Sequence, residues 1–200
     1  MADQRKTIGP AGFEALYRAD PDPWATRTSR FEAYKRRMLL AACGARCHGR
    51  VLELGCGSGA STAALAARSL RLDAVDASAS ALAAAEHLLA ACPNVCLHRA
   101  ILPHGMPRGP YDLIVVSELA YYLTRRDHDL LCDRIGRALA PGGRLVLLHH
   151  HRPFHDATQR PGSVHRRMLS RLGPARFRCV RTVRTERWAC LALGHRRSHH

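Results

Sequence analysis

The chain has 200 residues, of which 46% are apolar and 24% charged, and its size suits one domain with a single core rather than two full domains. No run of eighteen apolar residues occurs, so neither a membrane-spanning helix nor a membrane partner is expected. The net charge of +15 invites a nucleic-acid reading, but all but two of the 31 basic residues are arginines spread along an alanine-rich chain, the exceptions being Lys6 and Lys35, and no specific nucleic-acid partner is expected.

The opening MADQRKTIGPAGFEALY lacks the apolar region of a secretory signal, so a cytoplasmic location is expected. Residues 1–12 read as frayed, since Gly9, Pro10 and Gly12 interrupt any pattern. A short helix is predicted over Phe13 to Tyr17, followed by a rigid turn, DPDPW, at Asp20 to Trp24. Ser29 is placed to cap a helix from Phe31 to about Gly44, with Glu32 in its first turn. Residues 1–48 are thus expected to form a helical lid in which Trp24 and Tyr34 cover a ligand.

From there strands and helices alternate. Strands are predicted at Val51 to Leu54, Leu70 to Val75, Val95 to His98, Asp112 to Val116 and Arg144 to Leu148. Helices are predicted at Ser61 to Arg68, from a cap at Ser78 or Ser80 through Ala91, and at Asp127 to Leu139, with Pro141-Gly142-Gly143 as a turn. After a helix at Val164 to Leu172, two extended runs, Phe177 to Thr185 and Arg187 to Leu193, read as an antiparallel edge hairpin. The pattern predicts an α/β fold, a doubly wound, mostly parallel seven-stranded sheet, over residues 49–194, with a disordered tail at 195–200.

The eight cysteines include two C-x3-C pairs, Cys43/Cys47 and Cys92/Cys96, with His48 and His98 nearby. In a reducing compartment such residues read as small apolar side chains, and neither disulfides nor a metal is expected.

The chemistry concentrates in VLELGCGSGA, residues 51–60. Glycines at 55, 57 and 59 between a strand and a helix let backbone pass close to a ligand and aim helix N–H groups at it. Asp76, at the end of the next strand, stands where a carboxylate grips ribose hydroxyls. Gly55, Gly57 and Ala60 also satisfy the dinucleotide pattern, which keeps a dehydrogenase in view. Glu53 argues against it, because a carboxylate beside the turn repels a pyrophosphate and tolerates a cation.

ELGCGSG with Asp76, YDLIVVSE at 111–118 and LAPGGRLVLLHH at 139–150 together resemble the class I S-adenosylmethionine-dependent methyltransferases. FEALYRADPDPW at 13–24, TSRFEAYKRR at 28–37 and SELAYYL at 117–123 are similar to the NodS-like branch, which N-methylates the free amine of a deacetylated chito-oligosaccharide. The resemblance implies S-adenosyl-L-methionine as cofactor and a small-molecule or oligosaccharide acceptor. It implies that Glu53, Gly55, Cys56, Gly57 and Gly59 form the cofactor turn and that Asp76 holds the ribose. Ala77 and Ser78 would flank the adenine, which Ile101 would meet by apolar packing, and Ser117 and Glu118 would lie beside the transferring methyl. An amine acceptor needs a base. The candidates are Glu118, Tyr121, His149 and His150, and the sequence does not choose between the two histidines. Another natural-product acceptor, or a non-catalytic nucleotide- or RNA-binding module on the same fold, remains an alternative.

Overall fold

The computed structural model describes residues 7–196. Two helices, α1 (Pro10–Ala19) and α2 (Arg30–Cys43), precede the alternating part. This runs β1 (His48–Leu54), α3 (Ala60–Ala66), β2 (Ser69–Asp76), α4 (Ala79–Leu88), β3 (Val95–Arg99) and β4 (Tyr111–Ser117). It continues, after a single 3-10 turn at Ala120–Tyr122, with α5 (Arg125–Ala138), β5 (Leu139–His150), α6 (Pro161–Leu172), β6 (Phe177–Arg184) and β7 (Trp188–His195).

The strands form one sheet in the order β3-β2-β1-β4-β5-β7-β6. The first five are parallel, and β7 pairs antiparallel with both β5 and β6. This is the doubly wound sheet with an antiparallel edge that the alternation predicts. Alternate residues of the central strands face two separate cores. Leu52, Leu54, Ile114 and Val116 pack on the side of α5 and α6, while Val51, Leu113, Val115 and Val146 pack on the side of α2 and α3. The strand order reverses between β1 and β4, so their carboxyl ends open a crevice there.

Local chemistry sets several boundaries. The Ser29 hydroxyl accepts from the Phe31 and Glu32 N–H groups, as its position before α2 predicts. Of the two candidate caps for α4, Ser78 is the one used, accepting from Ala81 N–H at 3.0 Å. Three expectations need correction. Pro10 and Gly12 lie inside α1, because a proline in the first turn lacks only an N–H that would have no partner. Pro141, Gly142 and Gly143 fall within the span of β5, where the pairing with β4 jumps from Tyr111↔Leu139 to Leu113↔Arg144 and absorbs the turn as an irregularity. α4 ends at Leu88 rather than Ala91. Of the tail expected at 195–200, His195 belongs to β7 and residues 197–200 lie outside the described residues, as do residues 1–6 of the frayed start. No helix among the described residues is long and apolar enough to cross a membrane.

Candidate functional site

A cavity of about 590 Å³ opens at the crevice between β1 and β4. β1 brings Glu53 and the turn Gly55-Cys56-Gly57, β2 brings Asp76 and Ala77, and β4 brings Ser117 and Glu118. Ile101, Tyr121, His150 and Trp24 complete the sequence-predicted residues that line it.

The turn is held from within. Gly55 N–H and Cys56 N–H both donate to Val75 C=O, at 2.8 and 3.0 Å, and Gly57 N–H donates to Asp76 Oδ2 at 2.9 Å. These three N–H groups are therefore occupied within the protein, and only the N–H groups that open α3, at Ala60 and Ser61 on the cavity wall, are left to meet a ligand. Gly57 has φ +53, and a Cβ there would collide with the Tyr17 hydroxyl of α1. Asp76 also accepts from Ser78 N–H at 2.9 Å, and its burial raises its pKa. Glu53 is buried at the cavity wall and, among the described residues, accepts one hydrogen bond, from the Thr62 hydroxyl at 2.7 Å. Burial pushes its pKa up to about 7.

Charge distinguishes this cavity from the rest of the molecule. Five carboxyl groups line it (Glu32, Glu53, Asp76, Glu118 and Asp156) against two fixed cations, Lys35 and Arg36, in a chain of net charge +15. Such a lining suits a cationic ligand and opposes a pyrophosphate. The glycine turn, the two carboxylates at the ends of β1 and β2 and the volume together fit a sulfonium nucleoside.

At the other side of the cavity, Glu118 follows β4 with φ +53, a conformation that costs a non-glycine residue about 1–3 kcal/mol. Its carboxylate collects four donors. Tyr121 hydroxyl donates to Oε2 at 2.6 Å and His150 N–H to the same oxygen at 3.0 Å. His150 Nδ1 lies 2.8 Å from Oε1 and Lys35 Nζ 2.6 Å from it. Although burial opposes the charge, the His150 hydrogen bond and the Lys35 ammonium hold the Glu118 pKa well below the usual carboxylate range. Tyr121 is buried beside that anion, so its pKa is raised and it is a donor, not a base.

The structure separates the two histidines. His150 lines the cavity, whereas His149 points into the opposite core and is 1% exposed. Ala120 N–H donates to His149 Nε2 at 3.2 Å, so His149 Nδ1 carries the proton and donates to His165 Nε2 at 2.9 Å. Successive residues of a strand face opposite sides, which is why only one of the pair reaches the cavity. Three more of the expected residues are not among those that line the cavity. Tyr34 packs edge-on against the buried Trp188 of β7 and is 40% exposed. Gly59 caps α3, and a Cβ there would press on Ala85 and Leu89 of α4. Ser78 is fully buried as the α4 cap and donates to Glu14 Oε2 of α1 at 2.8 Å.

The sequence reading missed Lys35, Glu32, Phe13 and Tyr17, which also line the cavity. Lys35 had a signal: with Leu39, Ala42 and Cys43 it completes the buried stripe of α2 at helical spacing, an unusual place for a lysine. The two C-x3-C pairs and their neighbouring histidines, His48 and His98, do not come together as one ligand set among the described residues. Among the described residues the one group with ligand spacing is Asp73, Cys96 and His98, and Asp73 is already taken by the Arg50 guanidinium, at 2.9 Å, and the Tyr111 hydroxyl, at 3.1 Å.

A family model described as a methyltransferase domain matches residues 52–145. Nodulation protein S of Azorhizobium caulinodans is 29% identical over 124 residues, 60% of this chain; the match spans 59% of that relative, short of its full length. The crystal structure of the N-methyltransferase NodS from Bradyrhizobium japonicum WM9, in complex with S-adenosyl-L-homocysteine, superposes with a TM-score of 0.78 at 22% identity, covering 96% of this chain and 99% of that one. A putative methyltransferase from Pseudomonas syringae gives a TM-score of 0.72 at 31% identity over 84% of this chain and 100% of its own. A relative 31% identical over its full length thus agrees with an acid-lined crevice at the switch point of the sheet, and the chain belongs to the S-adenosylmethionine-dependent methyltransferases.

Proposed function

We propose that this chain N-methylates an amine-bearing small molecule, with a sugar amine of the NodS-like kind as the favoured acceptor. The observation that carries the reading is the Glu118–His150 contact at 2.8 Å on the wall of an acid-lined cavity. When bound, the donor supplies a methyl on a cationic sulfur that leaves as a neutral thioether.

The protein's part is to orient, to take a proton and to exclude water. Asp76 would accept from the ribose hydroxyls, while Gly55 and Gly57 would allow the ligand to approach the backbone. Glu53 and Asp76 would offset the donor's positive charge, and Ala77 and Ile101 would pack beside the adenine. An amine acceptor arrives protonated and must lose a proton before it attacks. Glu118 accepts from His150 Nδ1–H, which leaves His150 Nε2 free to take that proton, and the carboxylate then balances the imidazolium. Trp24 and Phe13, whose rings lie 6.1 Å apart, sit on the α1 side of the cavity and act as its cover. All eight cysteines are free thiols, which suits the cytoplasmic location included in this reading.

Incubation with labelled S-adenosylmethionine and a panel of glucosamine, deacetylated chito-oligosaccharides, their N-acetylated counterparts and small carboxylic acids tests the reading. Label on the free amines alone supports it. Label on a hydroxyl or carboxyl group instead overturns the amine assignment, and S-adenosylhomocysteine binding without transfer to any acceptor favours the non-catalytic alternative.

A further inference from the structure

Lys35 is the one lysine among the described residues, and it is 4% exposed. Its ammonium lies 2.6 Å from Glu118 Oε1 and 3.1 Å from Glu32 Oε1, with the Phe31 ring 5.5 Å away. α2 carries Lys35, Glu32 and Phe31, whereas Glu118 follows β4, so the ammonium ties the helix before the sheet to the wall of the reaction cavity.

The three groups share two negative charges and one positive. Without Lys35, Glu118 would keep only His150 and Tyr121 as donors, and Glu32 would lose the cation it touches. Without Glu118, a buried ammonium would face the incoming acceptor. A solely structural salt bridge gains little from being placed here, because desolvation consumes most of the attraction. Its position on the cavity wall gives it a second consequence: it fixes how much negative charge an acceptor meets.

We propose that Lys35 is a positioning and specificity residue, whose ammonium between Glu32 and Glu118 holds the Glu118 carboxylate against His150 and limits the acceptor end of the cavity to one net negative charge. This rests on the donor-binding and amine reading above and adds to it a residue that sets the charge selectivity. An acceptor that enters as a monocation is accommodated, a carboxylate is repelled, and a bare pair of carboxylates that would trap the ammonium and keep it protonated is avoided.

The test uses two probes that differ by one charge where the methyl sits: S-adenosylhomocysteine, neutral at sulfur, and sinefungin, which carries a primary amine there. Calorimetry on the full chain gives the ratio of their affinities. Lys35→Met should raise the preference for sinefungin by about tenfold, since it removes the cation that offsets Glu118. Lys35→Arg should restore the original ratio.

If Lys35→Met does not fold, Glu118→Gln and the double variant Lys35→Met/Glu118→Gln decide. The single variant should lower the sinefungin preference, and the double variant, which has the same net charge as the parent, should recover it. Equal losses for both probes in Lys35→Met, or the same ratio in Glu118→Gln with and without Lys35, would overturn the proposal and leave Lys35 as a packing residue. No binding of S-adenosylhomocysteine by the unmodified protein is a distinct result, and it would fail the donor reading itself.

Discussion

His150 Nδ1 and Glu118 Oε1 lie 2.8 Å apart across the carboxyl ends of two neighbouring parallel strands, β4 and β5. Because the carboxylate can only accept, it fixes the imidazole tautomer and leaves Nε2 able to accept the proton in the proposed reaction. His150→Gln should lower kcat by about 10²–10⁴-fold while S-adenosylhomocysteine affinity stays the same. Turnover with labelled donor, set beside calorimetry, checks this, and an unchanged kcat removes His150 from the reaction.

His149 gives the opposite expectation. It reaches no acceptor and holds the turn after β4 through Ala120 N–H, so His149→Ala should destabilise the fold by about 1–3 kcal/mol through an unsatisfied buried donor and a lost contact. Urea unfolding measures the loss.

The His149–His165 pair also predicts acid sensitivity. Burial lowers the pKa of both rings, that of His165 to about 4. A histidine whose folded pKa is depressed contributes stability that is complete above its unfolded value, near 6.5, and is lost as pH falls through the folded value. The urea midpoint should therefore fall between about pH 6.5 and pH 4. His165→Asn should flatten that slope, and an unchanged slope would dissociate the pair from acid unfolding.

Glu53 works in the reverse direction. Burial raises its pKa to about 7, so its contribution is complete below its unfolded value and is lost as pH rises through the folded value. Glu53→Gln should make the free protein more stable at pH 8 than the parent and bind S-adenosylmethionine more weakly. Thermal unfolding with and without ligand reads both changes.

Asp76 supports the turn and also lines the cavity. Asp76→Ala should weaken S-adenosylhomocysteine binding by about tenfold or more, because it deletes a carboxylate acceptor and frees Gly57 N–H. Equal affinity by calorimetry refutes that role.

Sheet class, strand number and the edge hairpin were all legible in the one-dimensional pattern, because buried parallel strands must be continuous apolar runs and the helices between them must repeat every 3.6 residues. The glycine turn and the carboxylate ending β2 were legible for the same reason: their spacing follows from one strand–turn–helix–strand unit. Pro10 and Gly12 misled, since either residue disfavours a helix interior yet is tolerated in a first turn held by other contacts.

By itself, then, the sequence determined the fold class, the glycine turn with Asp76, and the set of ionisable groups at the ends of β4 and β5. Only the tertiary structure decided which of two adjacent histidines reaches the cavity, that Glu118 is saturated with donors, and that Lys35 from a helix more than eighty residues earlier neutralises it. Local pattern records which face of an element is buried. The distance between two charges depends on how separate elements pack, and no periodicity along the chain carries that information.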